Sequence, residues 1–107
     1  MTRILFICAN ARARSPTAAQ VFAEWPGLRT DFGGLSRETE NLLSAEQIEW
    51  AEVIMVMERR DSNRLHDQFG RLLAGKQVQV LDIRGRYGFM DPKLVDELMA
   101  KAAPRLS

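Results

Sequence analysis

Short apolar runs alternate with amphipathic stretches along most of this chain. Four runs have the length of buried strands: residues 4–7, 28–32, 53–57 and 78–83. After the first run, four apolar residues recur at i, i+3, i+4 and i+7 and form one face of a helix: Ala18, Val21, Phe22 and Trp25. We expect Pro26-Gly27 to end this helix.

Three further helices follow from the same pattern and from capping signals. Ser44 and Gln47 have the spacing of a capping box, which predicts a short helix through Trp50 and Ala51. A second apolar face ends at Gly75, and its members are Leu65, Phe69, Leu72 and Leu73. Asp91-Pro92 opens a last helix, whose apolar face consists of Leu94, Val95, Leu98, Met99 and Ala102. Arg59-Arg60, beside Glu58 and Asp61, predicts a solvated helix start.

Strands that alternate with helices predict a parallel α/β sheet covered on both faces. We expect one domain over residues 1–107, with a three-layer αβα architecture and a four-stranded parallel sheet in the order 2-1-3-4. Ligands of such sheets bind at the carboxyl ends of the strands, where the strand order reverses. The loops after strands 1 and 4 are therefore the places to look for chemistry.

The loop after the first strand carries the strongest chemical signal. It contains the only cysteine of the chain, and Cys8 precedes Arg14-Ser15-Pro16 by six residues. Backbone N–H groups of residues 9–14 can converge on phosphate oxygens at a helix N-terminus, and the same electropositive surroundings favour a thiolate. Arg14 can bind two phosphate oxygens with its planar fork, and Ser15 can donate to the thiolate. The alternative is that Cys8 is a small buried hydrophobe and Arg14 a solvated loop charge.

Composition and charge limit the partners and the compartment that we expect for the protein, but they indicate no further catalytic residue. Lys and Arg total 15 against 14 Asp and Glu, so the charge predicts neither nucleic acid nor membrane as a partner. A single cysteine excludes an internal disulfide, and a free thiol fits the cytoplasm better than a secreted setting. The carboxylates have no metal-ligand spacing, so we expect neither a metal nor another cofactor.

The Cys8 loop, the run from Val53 to Glu58 and the late Asp91-Pro92 together resemble the low-molecular-weight protein tyrosine phosphatase family. The resemblance implies that Cys8 attacks phosphorus, Arg14 holds the phosphoryl group and Asp91 acts first as general acid and then as base. The phosphate loop that it implies consists of Ala9, Asn10, Ala11, Arg12, Ala13, Arg14 and Ser15. The implied substrate is a phosphorylated protein, most directly one with phosphotyrosine, or a small phosphoester.

Asp91 has a purely structural alternative, because Asp before Pro is also a good helix N-cap. Asp82, at the end of strand 4, is the substitute candidate for the general acid, although a role in bracing its loop is the simpler interpretation.

The sequence departs from the family's pattern at several positions. The family usually ties a left-handed asparagine in the loop to a serine after the second strand, but this chain has Ala11 and Phe32 there. The change predicts a differently braced loop, in which Asn10 could take over one bond. Residues 35–43 are too few for the family's helix in that region. Lys93 stands where a tyrosine is usual, and together with Arg12 it favours an acidic phosphoester.

Three other functions compete with a phosphatase. A weak or inactive member could bind phosphate or a phosphoprotein without turnover. Arsenate reductases use the same loop, but those that depend on thioredoxin need further cysteines, which this sequence lacks. A phosphocysteine carrier also places cysteine after a first strand, but Arg14-Ser15-Pro16 and Asp91-Pro92 argue against it.

Overall fold

Four strands and five α-helices alternate along the chain in the computed structural model, which describes residues 1–106. The strands are β1 (Thr2–Cys8), β2 (Leu28–Gly34), β3 (Val53–Val56) and β4 (Gln77–Val80). The helices are α1 (Arg14–Phe22), α2 (Ala45–Trp50), α3 (Arg59–Phe69), α4 (Pro92–Lys101) and α5 (Ala103–Leu106). A 3-10 helix, Gly70–Leu73, follows α3.

The strands form one parallel sheet in the order β2-β1-β3-β4. This confirms both the predicted architecture and the predicted strand order. Cys8 pairs with Gly34 of β2, and Ile7 pairs with Val56 of β3. The end of β1 therefore lies between the ends of two neighbouring strands, which places the Cys8 loop where the strand order reverses.

Both faces of the sheet are covered, so β1 is apolar at successive positions rather than at alternate ones. Ile4 and Phe6 pack on one side with residues of α1 and α4. Leu5 and Ile7 pack on the other side with residues of α2 and α3. All four side chains are fully buried, and this core fixes the strand that carries Cys8.

Helix α1 ends earlier than the apolar periodicity predicts. Pro26 has no N–H to donate to the carbonyl of Phe22 and disfavours helical geometry at Trp25. The Phe22 carbonyl instead accepts from Trp25 N at 3.1 Å in a tighter turn. Trp25 still packs edge-on against the Phe22 ring, at 4.9 Å between centroids, so the predicted apolar contact survives the end of the helix.

Strand β4 is also shorter than predicted. It ends at Val80, although the N–H groups of Leu81 and Ile83 still donate to carbonyls of the β3 region at 2.9 and 2.8 Å. Asp82 between them has a φ of 57°, a left-handed conformation that interrupts regular pairing. Residues 35–43 contain turns and an isolated bridge rather than a helix, as expected from their number.

The helix predicted to end at Gly75 ends as an α-helix at Phe69 and continues as the 3-10 helix to Leu73, whereas the predicted caps of α2 and α4 agree with the structure. Ser44 and Gln47 form both hydrogen bonds of the capping box of α2. Asp91 caps α4, with Pro92 at its first position. None of the helices within residues 1–106 is long and apolar enough to cross a membrane.

Candidate active site

A pocket of about 200 Å³ opens at the carboxyl edge of the sheet, above the end of β1. Two loops line it: the loop after β1 and the loop after β4. The lining residues are Cys8, Asn10, Ala11, Arg12, Ala13, Arg14, Gly85, Arg86 and Tyr87. Five of the seven predicted phosphate-loop residues thus line one cavity with Cys8.

The two remaining residues of the predicted loop, Ala9 and Ser15, do not line the pocket. Ala9 turns its carbonyl toward Ser36 N, which donates to it at 2.8 Å. Ser15 is fully buried, and its Oγ lies 3.1 Å from Cys8 Sγ. Ser15 therefore contacts the sulfur instead of the pocket.

The sulfur of Cys8 is nearly enclosed and has two polar partners. Only 2% of Cys8 is exposed. The Ala11 N–H donates to Sγ at 3.2 Å, and the Ser15 hydroxyl is in hydrogen-bonding range, with either atom able to donate. A thiolate at this position would accept from both groups, an arrangement that stabilises negative charge on sulfur.

Helix α1 begins at the pocket without a side-chain cap. Its N-cap residue is Ala13, which makes no capping hydrogen bond, and its first turn contains no acidic residue. The first N–H groups of a helix have no partner within the helix, and the helix dipole is positive there. The N-terminus of α1 is thus suited to an anion held against the Cys8 loop.

Arg14 is anchored on one side of its guanidinium group. Its Nη1 donates to Glu58 Oε2 at 2.7 Å and to the Ile83 carbonyl at 2.9 Å. Among residues 1–106, Nε and Nη2 have no protein acceptor. Two contacts therefore fix the plane of the side chain, which leaves other donors for phosphate oxygens.

Glu58 is the site residue that sequence reasoning missed. Its side chain is 15% exposed, and the hydrogen bond from Arg14 is the main cause that lowers its pKa below the ordinary value, against the opposing effect of burial. It lies two residues after the end of β3, at the same sheet edge as Cys8. That position after a buried strand is the signal that could have identified it.

Arg59 and Arg60 are exposed at the start of α3, as predicted, but Asp61 beside them is not solvated. Asp61 is fully buried, and its Oδ2 accepts from Glu58 N at 3.1 Å. Its Oδ1 has no hydrogen-bond partner in the described part of the chain. Burial raises the pKa of this carboxyl group above its ordinary value. Asp61 thus holds the backbone of Glu58 beneath the arginine.

Ala11 adopts the left-handed conformation that the family resemblance implies at this position, with a φ of 52°. It is 1% exposed, and the loop around it is braced from residues 34–39. Thr39 Oγ1 donates to the Asn10 carbonyl, and Ser36 N donates to the Ala9 carbonyl. Asn10 does take part in the altered brace, through its backbone, and the expected asparagine–serine tie is replaced by Thr39.

Asp91 and Asp82 both lie outside the pocket wall. Asp91 Oδ1 accepts from Lys93 N at 2.9 Å as the cap of α4. Its neighbour Met90 donates from its backbone N to Thr17 Oγ1 at 2.9 Å, which ties this end of the loop to α1. Asp82 pairs with Arg84 at 3.0 Å, and its side chain is 64% exposed.

Tyr87 connects the pocket wall to Asp91 and α4. Its hydroxyl donates to Glu97 Oε2 at 2.7 Å. That hydrogen bond is the main cause that raises the pKa of Tyr87, and the charge of Asp91 adds to it. The Asp91 carboxylate thus contributes to the raised pKa of a residue of the pocket, although it is not itself part of the lining.

The whole chain superposes on solved phosphatases. The arginine phosphatase YwlE from Geobacillus stearothermophilus matches 98% of this chain and 95% of its own, with a TM-score of 0.72 and 20% identity. Vibrio vulnificus Wzb, solved with benzylphosphonate, matches 98% and 96%, with a TM-score of 0.76 and 15% identity. The low-molecular-weight protein tyrosine phosphatase of Streptococcus pyogenes matches 97% of this chain and 85% of its own, with a TM-score of 0.65 and 11% identity. The chain has the low-molecular-weight protein tyrosine phosphatase fold.

Because the sequence identities lie between 11% and 20%, these comparisons show a similarity of fold alone. By sequence, no protein-family model and no curated protein matches the chain. In the low-molecular-weight phosphatase fold of this chain, the Cys8 loop, Arg14 and the loop after β4 meet in one pocket. The resemblance seen in the sequence is thus confirmed at the level of the whole fold.

Proposed function

We propose that the protein is a cysteine-dependent phosphatase that hydrolyses phosphomonoesters through a cysteinyl-phosphate intermediate. The observation that carries this proposal is the single pocket in which Cys8 Sγ, the uncapped start of α1 and a pre-oriented Arg14 converge. An anion bound there would receive donors from the backbone and the guanidinium group while its phosphorus faces the sulfur.

The chemistry proceeds in two steps. Cys8 thiolate attacks phosphorus, the bond from phosphorus to the ester oxygen breaks, and Asp91 protonates the departing oxygen. Water then attacks the phosphocysteine, Asp91 accepts its proton, and the sulfur leaves as a thiolate that Ser15 and Ala11 N stabilise. Phosphate is released, and no redox partner or metal is needed for the balance.

Asp91 is assigned as the general acid on its place in the chain and on its surroundings. It follows the loop that lines the pocket and is anchored next to α1 through Met90, and its charge contributes to the raised pKa of Tyr87 in the pocket wall. Asp82 is the weaker candidate, because its carboxylate is paired with Arg84 at the surface.

A phosphorylated protein with phosphotyrosine is the proposed substrate, in line with the tyrosine phosphatase among the structural neighbours. Other neighbours are arginine phosphatases. A phosphoarginine substrate carries a cationic guanidinium group, and Arg12 and Arg86 in the pocket wall would repel it. The charge of the wall therefore supports an oxygen ester over phosphoarginine.

The test is hydrolysis of para-nitrophenyl phosphate between pH 5 and 8 without added metal. We expect turnover by the wild type, none by Cys8→Ser, and a loss of roughly a hundredfold or more with Asp91→Asn. Asparagine is as good an N-cap as aspartate, so this variant removes the acid and keeps the cap of α4. Asp82→Asn is the matched control and should retain activity.

Two results would contradict different parts of the proposal, the turnover itself and the identity of the general acid. A wild type that binds vanadate but does not turn over would make the chain a phosphate-binding module. Full activity of Asp91→Asn with loss in Asp82→Asn would move the acid to Asp82.

A further inference from the structure

Two arginines in the pocket wall have no partner of their own. Arg12 and Arg86 are both exposed and line the pocket on opposite loops. Neither makes a hydrogen bond or an ion pair with another residue in the stretch from Met1 to Leu106. Arg14 differs from them, because Glu58 already balances its charge at 2.7 Å. The pocket thus carries positive charge that the protein itself does not neutralise.

The rest of the wall does nothing to reduce this charge. No carboxylate is among the residues that line the pocket. Tyr87 is neutral, and its hydroxyl proton is already donated to Glu97. An adjoining pocket shares Ala11 and Arg12 but includes Glu40, which disfavours a second anion there. Excess positive charge is therefore concentrated around the mouth of the Cys8 pocket.

The loop amides, the start of α1 and Arg14 are sufficient to hold one phosphoryl group, because they meet Cys8 at the same pocket. Arg12 and Arg86 add two further positive charges to the pocket wall, which a second anion would offset. Building on the proposed function, we propose that the substrate carries a second anionic group, a carboxylate or a phosphate, next to the scissile phosphate, and that Arg12 and Arg86 bind it.

The test measures binding separately from turnover. Cys8→Ser protein is titrated calorimetrically with 4-carboxyphenyl phosphate and with 4-carbamoylphenyl phosphate, which have the same shape but differ in the second charge. An exposed ion pair contributes about 1 kcal/mol or less, which is roughly fivefold in affinity. We expect the carboxylate to bind about fivefold more tightly than the amide.

Charge-removing variants assign this preference to residues. In the Cys8→Ser background, Arg12→Gln together with Arg86→Gln should bring the affinity ratio of the two ligands close to one. Arg29→Gln removes one arginine charge from an exposed position at the opposite end of the sheet, and it should leave the ratio unchanged. The preference of the unaltered pocket should also weaken as salt is added.

A second pair of ligands distinguishes the source of the anion. Phosphotyrosine peptides flanked by aspartate or by asparagine test an acidic protein segment. A preference for the acidic peptide as well as for the carboxyphenyl ester supports the proposal with a protein substrate. A preference confined to the small ester supports it with a small dianionic substrate.

Equal affinities for both members of each ligand pair would overturn the inference. So would an affinity ratio that is unchanged when both arginines are replaced. The inference would also fail if none of the ligands bound. Para-nitrophenyl phosphate, which has no second anion, reports on the proposed function independently. A carboxylate preference without hydrolysis of that ester would refute the phosphatase and leave the anion site standing.

Discussion

At the scale of single residues, the proposed phosphate clamp depends on a side chain that does not line the pocket. Glu58 orients Arg14 through one hydrogen bond, and Asp61 fixes the Glu58 backbone from below. The arginine supplies the charge, but its position follows from two acids that come 44 or more residues later in the chain.

Replacing Glu58 should impair catalysis through the position of Arg14. With Glu58→Ala, Nη1 keeps only the Ile83 carbonyl, and we expect kcat/KM for para-nitrophenyl phosphate to fall roughly ten- to a hundredfold, as small misplacements do. Glu58→Gln retains an acceptor and should recover part of the loss. Steady-state kinetics with phosphate as a competitive inhibitor would show weaker phosphate binding in the alanine variant.

Arg60→Gln is the matched control for Glu58. Arg60 pairs with the same carboxylate at 3.2 Å but is 71% exposed, so its loss should change kcat/KM little. Wild-type kinetics in Glu58→Ala would show that Arg14 needs no anchor.

Asp61 gives a pH dependence of stability with a defined sign. Its pKa in the folded protein is raised by burial above the ordinary 3.8. Well below pH 3.8 the Asp61 carboxyl group is protonated in both the folded and the unfolded state. As the pH rises, the unfolded state ionises more readily, so the free energy of unfolding decreases. We expect Asp61→Asn to gain stability relative to wild type as the pH rises from about 4 to 7, measured by urea denaturation.

Asp67→Asn, which removes an exposed carboxylate from the same helix, should keep the wild-type pH profile. A difference between Asp61→Asn and wild type that stays constant over the pH range would mean that Asp61 titrates as it does in the unfolded chain.

Sequence reasoning identified Cys8 and Arg14 because their spacing within one loop is itself the signal. Glu58 and Thr39 contact that loop only through the tertiary fold. The position of Glu58 after a buried strand is its one sequence signal, and no local pattern marks Thr39. The family resemblance led us to expect a left-handed backbone at Ala11. The burial of Ala11 beside Gly34 and Thr39 could not be expected, because it depends on contacts that only the folded chain contains.

At the scale of elements, the Cys8 loop is held by the end of β2. A Cβ on Gly34 would lie 2.9 Å from the Ala9 carbonyl, 3.0 Å from Thr39 Cγ2 and 3.1 Å from Ala11 Cβ. Contacts below 3.0 Å with backbone force a shift, and the backbone concerned belongs to the phosphate loop. The strand therefore approaches the loop as closely as a glycine allows.

Gly34→Ala should lower both stability and activity. We expect a loss of about 1–3 kcal/mol in unfolding free energy, typical of overpacking, together with reduced turnover because Ala9 and Ala11 must move. Thermal unfolding and kinetics on the same preparation test both effects.

Gly70→Ala is the control, since nothing lies within 4 Å of a Cβ at that position and its φ is −44°. Normal activity in Gly34→Ala would show that the loop tolerates displacement.

The elements themselves were largely predictable, since apolar runs and capping residues act locally. Strand order followed from the alternation of strands and helices. The ends of α1 and β4 were not predictable from periodicity alone, because the apolar pattern continues to Trp25 and to Ile83 while Pro26 and the left-handed Asp82 change which hydrogen bonds are available.

At the scale of the whole molecule, the chain has one thiol and no second one to protect it. A sulfenic acid on Cys8 could not be captured as an intramolecular disulfide, and further oxidation is irreversible. We expect excess peroxide to abolish activity and later reductant to restore only a small fraction of it.

Ala13→Cys places a second thiol in the same pocket wall and should raise the recovered fraction. Mass spectrometry would show a sulfinic or sulfonic acid in the wild type. Full recovery of the wild type after reduction would contradict the prediction.

Tyr87 is the only tyrosine of the chain, and it stands in the wall of the pocket. A sample labelled with carbon-13 in its tyrosine rings would therefore give the ring signals of one residue in an NMR spectrum. Those signals would report the arrival of an anion, the loss of Glu97 or a movement of the loop after β4, without any dye or tag. The molecule thus contains its own spectroscopic probe at the place where its chemistry is proposed to occur.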